Sequence, residues 1–339
     1  MLRMILALLL PLALVLLMGP KVIAELRKLK FGQTIYELGP AHQQKQGTPT
    51  MGGLMMFAAV TVTALVMHPS EWHGGWDFML ALLLVSIATM LVGFVDDFIK
   101  VVMKRNLGLT AMQKIVGQVL VAVAFSCYCY FCPDVGSSII VPFLNVEWDL
   151  GVFYIPLMTL LVIFMTNSCN LQDGLDGLLS SVTCVGSIGW SVLALVMSLT
   201  LSAALKTQYL SVAIFAMALV GATMGFLRFN YYPAKVFMGD TGSMFIGGAM
   251  VGIAMLLRQP LMLALICFTS IMSSVSVMMQ VTYFKYTKRR YGQGRRIFKM
   301  SPIHHHFEKC GMTETQIDTM YAIVTGVLTL IAVLSVLPL

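Results

Sequence analysis

Ten apolar runs, joined by short polar connectors, leave this chain few folds other than a bundle of membrane-crossing helices. A helix rises about 1.5 Å per residue and the hydrocarbon core is about 30 Å thick, so a crossing takes about 20 mainly apolar residues. Such runs lie near residues 2–18, 51–67, 78–95, 112–131, 153–168, 178–199, 209–227, 243–257, 260–284 and 317–337. Lipid offers no partner to a backbone amide, which selects helices over open strands. Composition agrees: 58% of residues are hydrophobic and 11% charged, against about 25% charged in soluble domains. The expected fold is all-α, a polytopic integral membrane protein with about ten transmembrane helices. Residues 1–339 read as one transmembrane domain, without internal repeats or low-complexity stretches.

Charge orients the bundle. With both the N- and C-termini outside, the outer segments hold only Arg3, Lys206 and Arg258, so 19 of the 22 lysines and arginines face the cytoplasm. The reverse orientation would break the positive-inside rule. The net charge of +7 is thereby explained by the membrane and not by nucleic acid. The first run is read as a retained helix, because no small-residue cleavage site follows it and Lys21, Arg27, Lys28 and Lys30 do. In the outer connection 132–151, Val141, Phe143, Val146 and Trp148 suggest a short hairpin lying on the membrane. The ninth run is long enough to bend or break. The seven cysteines form no disulfide pattern, and Cys129-x-x-Cys132 reads as small apolar packing residues.

Five polar clusters interrupt the apolar background, all on the predicted cytoplasmic face. Carboxylates at the ends of membrane helices are costly unless they have a task. Asp96 and Asp97 adjoin Lys100; such a pair can bind a metal, accept a proton or attack as a nucleophile. Asn170, Asp173 and Asp176 follow at three-residue spacing, so that neighbours are close on a helix. Gly174 and Gly177 remove side chains between them, which lets a phosphate or sugar approach the backbone. The run Gly239-Asp240-Thr241-Gly242-Ser243 opens an apolar segment. Amides at a helix start attract anions, and Asp240 suits magnesium. Lys45 with Thr48-Pro49-Thr50-Met51-Gly52-Gly53 offers a lysine, two hydroxyls and glycines for a phosphate cradle, without a Walker ending. His304, His305 and His306 are consecutive, so they do not share one helix face and do not form a closed zinc site. Neutral imidazoles suit hydrogen bonds to sugar or phosphate oxygens, or proton shuttling.

Taken together, these residues resemble the polyprenyl-phosphate N-acetylhexosamine-1-phosphate transferases. The likeness covers almost the whole chain and rests on residues 47–53, 96–100, 170–178, 237–243 and 301–308. The last stretch, Ser301-Pro302-Ile303-His304-His305-His306-Phe307-Glu308, points to the branch that uses N-acetylmuramoyl-pentapeptide donors. The resemblance implies a single transmembrane transferase domain in the bacterial inner membrane, with its active site in cytoplasmic loops 19–50, 96–111, 169–177, 228–242 and 285–316. It implies transfer of phospho-MurNAc-pentapeptide from UDP-MurNAc-pentapeptide to undecaprenyl phosphate, giving lipid I and UMP in peptidoglycan synthesis. Mg2+, membrane lipid and a homodimeric partner go with it. The catalytic residues it implies are Asp96, Asp97 and Asp240, with Asp240 holding the metal. The substrate-binding set is Lys45, Thr50, Lys100, Lys114, Asn170, Asp173, Asp176, Asn230, Phe237, His304, His305 and His306, in which Phe237 stacks on uracil and Asn230 binds the nucleoside. Two alternatives differ in donor or in class. A UDP-N-acetylglucosamine donor is disfavoured by the histidine stretch. A transporter of an anionic nucleotide or lipid would place its site near the midplane, whereas these clusters lie at one end.

Overall fold

The structure, a computed structural model, describes residues 2–28, 47–68, 76–101, 103 and 108–336. Twelve α-helices occur among them: α1 (Leu2–Lys28), α2 (Gly53–Val66), α3 (Phe78–Val101), α4 (Ala111–Phe131), α5 (Tyr154–Gln172), α6 (Leu178–Ser198), α7 (Ala203–Asn230), α8 (Gly239–Leu256), α9 (Leu263–Ile266), α10 (Phe268–Tyr291), α11 (Ile303–Lys309) and α12 (Glu314–Leu334). Eight of the described helices are long and apolar enough to cross a bilayer. A further pair is long and apolar enough only when taken together, and it is bent: Pro260–Ile266 meets Phe268–Tyr291 at 87°, where Cys267 leaves helical geometry at φ −105°, ψ 22°. The remaining apolar run, 51–67, becomes α2, whose 14 residues span only about 21 Å at 1.5 Å each. The expected all-α, multi-pass architecture is therefore present, with one helix short and one broken.

Several helices outrun the apolar segments that announce them. Residues 19–28, 96–101, 228–230 and 285–291 belong to α1, α3, α7 and α10, although the sequence reading put them in loops. Hydrogen bonding carries a helix on into polar sequence until a cap stops it. For α10 the stop is Gly292 at φ +74°, whose N–H donates to Lys288 O. Thr110 with Gln113, and Thr313 with Gln316, form reciprocal capping boxes that start α4 and α12.

α8 is the central column, with 17 of its residues buried. Its neighbours are α3, α5 and α2. Small residues let them close in, since apolar side chains gain nothing by leaving lipid for one another. A Cβ on Gly248 would lie 2.1 Å from Thr89 Oγ1 of α3, and one on Gly247 2.6 Å from Thr166 Cα of α5. Gly53 at the start of α2 faces Gly242 in the same manner. Polar side chains join other helices in the interior: Ser168 of α5 bonds Ser274 of α10 at 2.8 Å, and Gln172 donates to Thr269 at 3.1 Å.

The hairpin exists as β1 (Ser138–Val141) and β2 (Val146–Asp149), antiparallel, with Ile139 opposite Trp148 and Val141 opposite Val146. Arg258, just past α8, clamps it. Arg258 Nη2 meets Glu147 at 2.7 Å, Nε donates to Ser138 O, and Arg258 O accepts from Ile140 N at 2.8 Å. This marks the end of the bundle opposite the polar clusters.

Gly53→Ala tests the close approach. Its Cβ would stand 2.2 Å from Gly242 Cα, and backbone cannot yield as a side chain can, so overpacking costs about 1–3 kcal/mol or more. The expected result is a clear fall in melting temperature in detergent. Gly326→Ala, whose nearest neighbour would be a Val185 methyl at 3.7 Å, should leave it unchanged or raise it.

Candidate active site

The clusters converge because the helices alternate in direction. The last turns of α3, α5 and α7 and the first turns of α2, α4, α6, α8 and α12 all lie at one end, tied by the contacts below. The start of α8 is fixed first. Asp97, in the last turns of α3, accepts from Asp240 N at 3.2 Å, Thr241 N at 2.8 Å and Thr241 Oγ1 at 2.6 Å. These are the amides an N-cap side chain would normally satisfy. α8 has no cap of its own, since Met238 makes no such bond. A carboxylate across the helix interface does the work, and negative charge there is favoured by the helix dipole. Gly239 precedes it at φ +75°, with Asp97 and Thr50 so close that a side chain has no room.

Asp240 is thereby aimed at three other helices. Its Oδ2 meets Lys114 Nζ of α4 at 2.8 Å and Lys100 Nζ of α3 at 3.1 Å. Its Oδ1 accepts from Asn170 Nδ2 of α5 at 2.8 Å, and the same amide reaches Ser243 Oγ at 2.9 Å. Lys100 also pairs with Asp96 Oδ2 at 2.5 Å, while Asp96 Oδ1 accepts from Leu109 N at 2.8 Å. Four acids and amides and two lysines, from four helices, thus form one network.

Asp173 caps the C-terminus of α5. The residue keeps some contact with solvent, but its carboxyl is crowded by protein. Burial, and then the carboxylates of Asp240, Asp97 and Asp176, push it well above the usual carboxylate range. Asp176 lies past the helix end, so the three-residue spacing holds on a helix only for Asn170 and Asp173. Asp176 Oδ2 accepts from Ala234 N at 2.9 Å, and its own N–H donates to Glu314 of α12 at 3.1 Å. Asn230, at the end of α7, accepts from Ser180 Oγ at 2.9 Å and donates to Val236 O at 3.0 Å. Both residues fasten the connection 231–238 that leads into α8.

The glycine–threonine stretch is used differently from a phosphate cradle. Gly52 N and Gly53 N donate to Phe237 O and Met238 O at 2.9 and 3.0 Å, and Phe237 N donates to Pro49 O at 2.8 Å. Those amides hold two loops together and do not face outward. Thr50 is buried, and its hydroxyl has no partner among the described residues. Lys45 lies outside the described residues.

The histidines divide by direction, as consecutive residues on α11 must. His304 is fully buried, and neither ring nitrogen has a partner among the described residues. It packs where a side chain on Gly174 would stand, 2.4 Å from that missing Cβ. The gap left by Gly174 is therefore filled by imidazole. Burial first, and His305 second, hold His304 well below the ordinary histidine range, so it is neutral. His305 Nδ1 meets Glu308 at 3.0 Å, and His306 Nδ1 accepts from Lys299 N at 3.1 Å.

Sequence reasoning gave no role to Thr241, Ser243, Glu308 or Glu314. Thr241 and Ser243 are hydroxyls at a helix start, a signal for capping. Glu314 sits in the first turn of α12, where an acid is expected for dipole reasons alone.

Residues 79–258 match glycosyl transferase family 4. A phospho-N-acetylmuramoyl-pentapeptide-transferase of Clostridium botulinum (strain Alaska E43 / Type E3) is 42% identical over 326 residues, covering 96% of this chain and 94% of the relative. One from Bacillus thuringiensis (strain Al Hakam) is 45% identical over 305 residues, 88% of this chain and 87% of the relative.

Asp173 gives the site a pH signature. Unfolded, its carboxyl titrates near about 4; folded, it titrates higher. Above about 4 the native state therefore holds more protons than the unfolded one, and its contribution to stability falls as pH rises. Asp173→Asn removes that loss. Its melting temperature relative to wild type should rise between pH 4 and pH 8; a constant or shrinking difference would contradict the assignment.

Proposed function

The chain belongs to glycosyl transferase family 4 and, within it, to the phospho-N-acetylmuramoyl-pentapeptide-transferases, and from that membership we propose that it moves phospho-MurNAc-pentapeptide from UDP-MurNAc-pentapeptide to undecaprenyl phosphate. An oxygen of the lipid phosphate bonds to the sugar-bearing phosphorus of the donor. The bond from that phosphorus to UMP breaks, and UMP leaves. The observation that carries the reading is Asp240, held at the head of α8 and met there by Lys100, Lys114 and Asn170.

The donor set suits magnesium. Asp240 and Asp96 offer hard carboxylate oxygens, and no three His, Cys, Asp or Glu among the described residues group to close a protein cage. Magnesium is commonly bound in that manner, by one or two carboxylates with phosphate and water completing the shell. Bound through Asp240, it would polarise the diphosphate and neutralise the departing UMP.

Lys100 and Lys114 supply ammonium donors for the phosphates, and Asn170 keeps Asp240 in register. The acid pair on α3 stands beside them, Asp97 orienting Asp240 through α8 and Asp96 sharing Lys100 with it. This pair is our candidate for taking the proton of the lipid phosphate. Asp173 and the histidine helix face the donor. The excess of lysine and arginine at this end supports a cytoplasmic site in a bacterial inner membrane, where a soluble nucleotide and a lipid can meet at the inner leaflet.

The test is purified protein in detergent with radiolabelled UDP-MurNAc-pentapeptide and undecaprenyl phosphate, with and without magnesium. UMP should be released only with the metal. Asp240→Ala should lose about 10²–10³-fold or more in turnover while melting as a folded protein. Release in detergent, where no compartments exist, separates transfer from transport. Efficient turnover of UDP-N-acetylglucosamine in place of the muramoyl donor would overturn the donor assignment.

A further inference from the structure

Asp240 Oδ2 is shared by two ammonium groups, Lys114 Nζ at 2.8 Å and Lys100 Nζ at 3.1 Å. Its Oδ1 is taken by the Asn170 amide at 2.8 Å. The lysines arrive from opposite sides of one corner, the end of α3 and the start of α4. Asp96 is the only other carboxylate that pairs with either lysine among the described residues, and it pairs with Lys100. Lys114 is thus bound to Asp240 alone among the described carboxylates. Both lysines keep partial solvent contact, with side chains 30% and 16% exposed.

This geometry sets two conditions on a divalent cation. It must take an oxygen from at least one ammonium. It must also enter beside two ammonium groups that are already paired with Asp240 and Asp96. A cation arriving alone adds two positive charges and leaves the displaced ammonium groups without an acceptor. A cation arriving with a diphosphate diester adds none, and the phosphate oxygens accept the ammonium groups that Asp240 releases.

We propose that Lys100 and Lys114 are the resident counter-ions of Asp240, and that a divalent cation and a nucleoside diphosphate displace them together, so that each ligand binds weakly alone and tightly with the other. This rests on the reading of Asp240 as the metal carboxylate. It adds a linked order of loading to that site: the lysines move from carboxylate to phosphate as the cation moves in. Linkage is reciprocal, so the factor by which the nucleotide tightens the cation equals the factor by which the cation tightens the nucleotide.

The test is cation binding by the full-length protein in detergent. Mn2+ serves as the probe, because it takes the same oxygen ligands and its free form is read directly by electron paramagnetic resonance. Mn2+ is titrated with and without saturating UDP, for wild type, Lys114→Met, Lys100→Met, Lys114→Arg and Asp240→Asn. In wild type UDP should tighten Mn2+ by at least about fivefold, and Mn2+ should tighten UDP by the same factor. In Lys114→Met, Mn2+ alone should bind several-fold tighter than in wild type, and the effect of UDP should shrink. Lys114→Arg, which keeps the charge, should retain the coupling. Lys100→Met is the second arm if Lys114→Met does not fold. Mn2+ affinity that is unchanged or weaker in the folded Lys→Met variants, or absence of coupling in wild type, overturns the proposal while leaving the metal site standing. Undiminished Mn2+ binding by Asp240→Asn overturns the metal site itself, and the proposal with it.

Discussion

The site depends on one interaction, the carboxylate of Asp97 against the first amides of α8. A helix start leaves its leading N–H groups without partners, and in a membrane bundle they must be met. Here the partner comes from α3 instead of from the residue before the helix. Hydrogen bonds to a charged acceptor contribute about 1.5–3 kcal/mol each, and three converge on this carboxylate. That is the scale needed to hold a fully desolvated acid in place. The consequence reaches beyond stability. Because Asp97 bonds the amide of Asp240 itself, the position of the Asp240 carboxylate is set by the α3–α8 contact and not by a flexible loop.

The glycines of α8 and its neighbours serve the same end. Gly93 of α3 lies so close to Asp240 O that a side chain could not be inserted. Gly248 and Gly252 admit Thr89 and Val85 of the same helix. Close packing along the shaft therefore brings the polar ends within hydrogen-bond reach. A reactive centre held to within a few tenths of an ångström can be built in this way on rigid helices.

The spans were legible in the sequence because lipid imposes a simple length and hydropathy rule. So was the convergence of Asp96, Asp97, Asn170, Asp173, Asp240 and the histidines at one end, since alternating helices bring distant connectors together. The division of labour among them was not legible. Asp176 and Asn230 look like ligand-binding groups by residue type, yet their bonds go to Ala234 N, Ser180 and Val236 O. Gly52 and Gly53 look like a phosphate loop, yet their amides are taken by residues 237 and 238. Identity and spacing reveal which groups are polar. They do not reveal which polar groups already have partners, because most of those partners lie far off in the sequence, 58 residues away for Asp176 and 50 for the Ser180 partner of Asn230. The 87° break before α10 was foreshadowed only by length, as no proline or glycine stands at Cys267.

Placing the polar network at helix ends also keeps its charged groups near water. A midplane site would have to desolvate a nucleotide diphosphate fully, a heavy penalty in low dielectric. At the end of the bundle the partly exposed lysines stay near water, while Asp97 and His304 are sealed from it. Coulombic attraction strengthens as the local dielectric falls. The network thus grades from a wet rim at the lysines to a dry floor, where a fixed carboxylate and a neutral imidazole hold their positions. That gradient follows from the ends of α3 and α5 meeting the start of α8, and the glycines along α8 are what permit it.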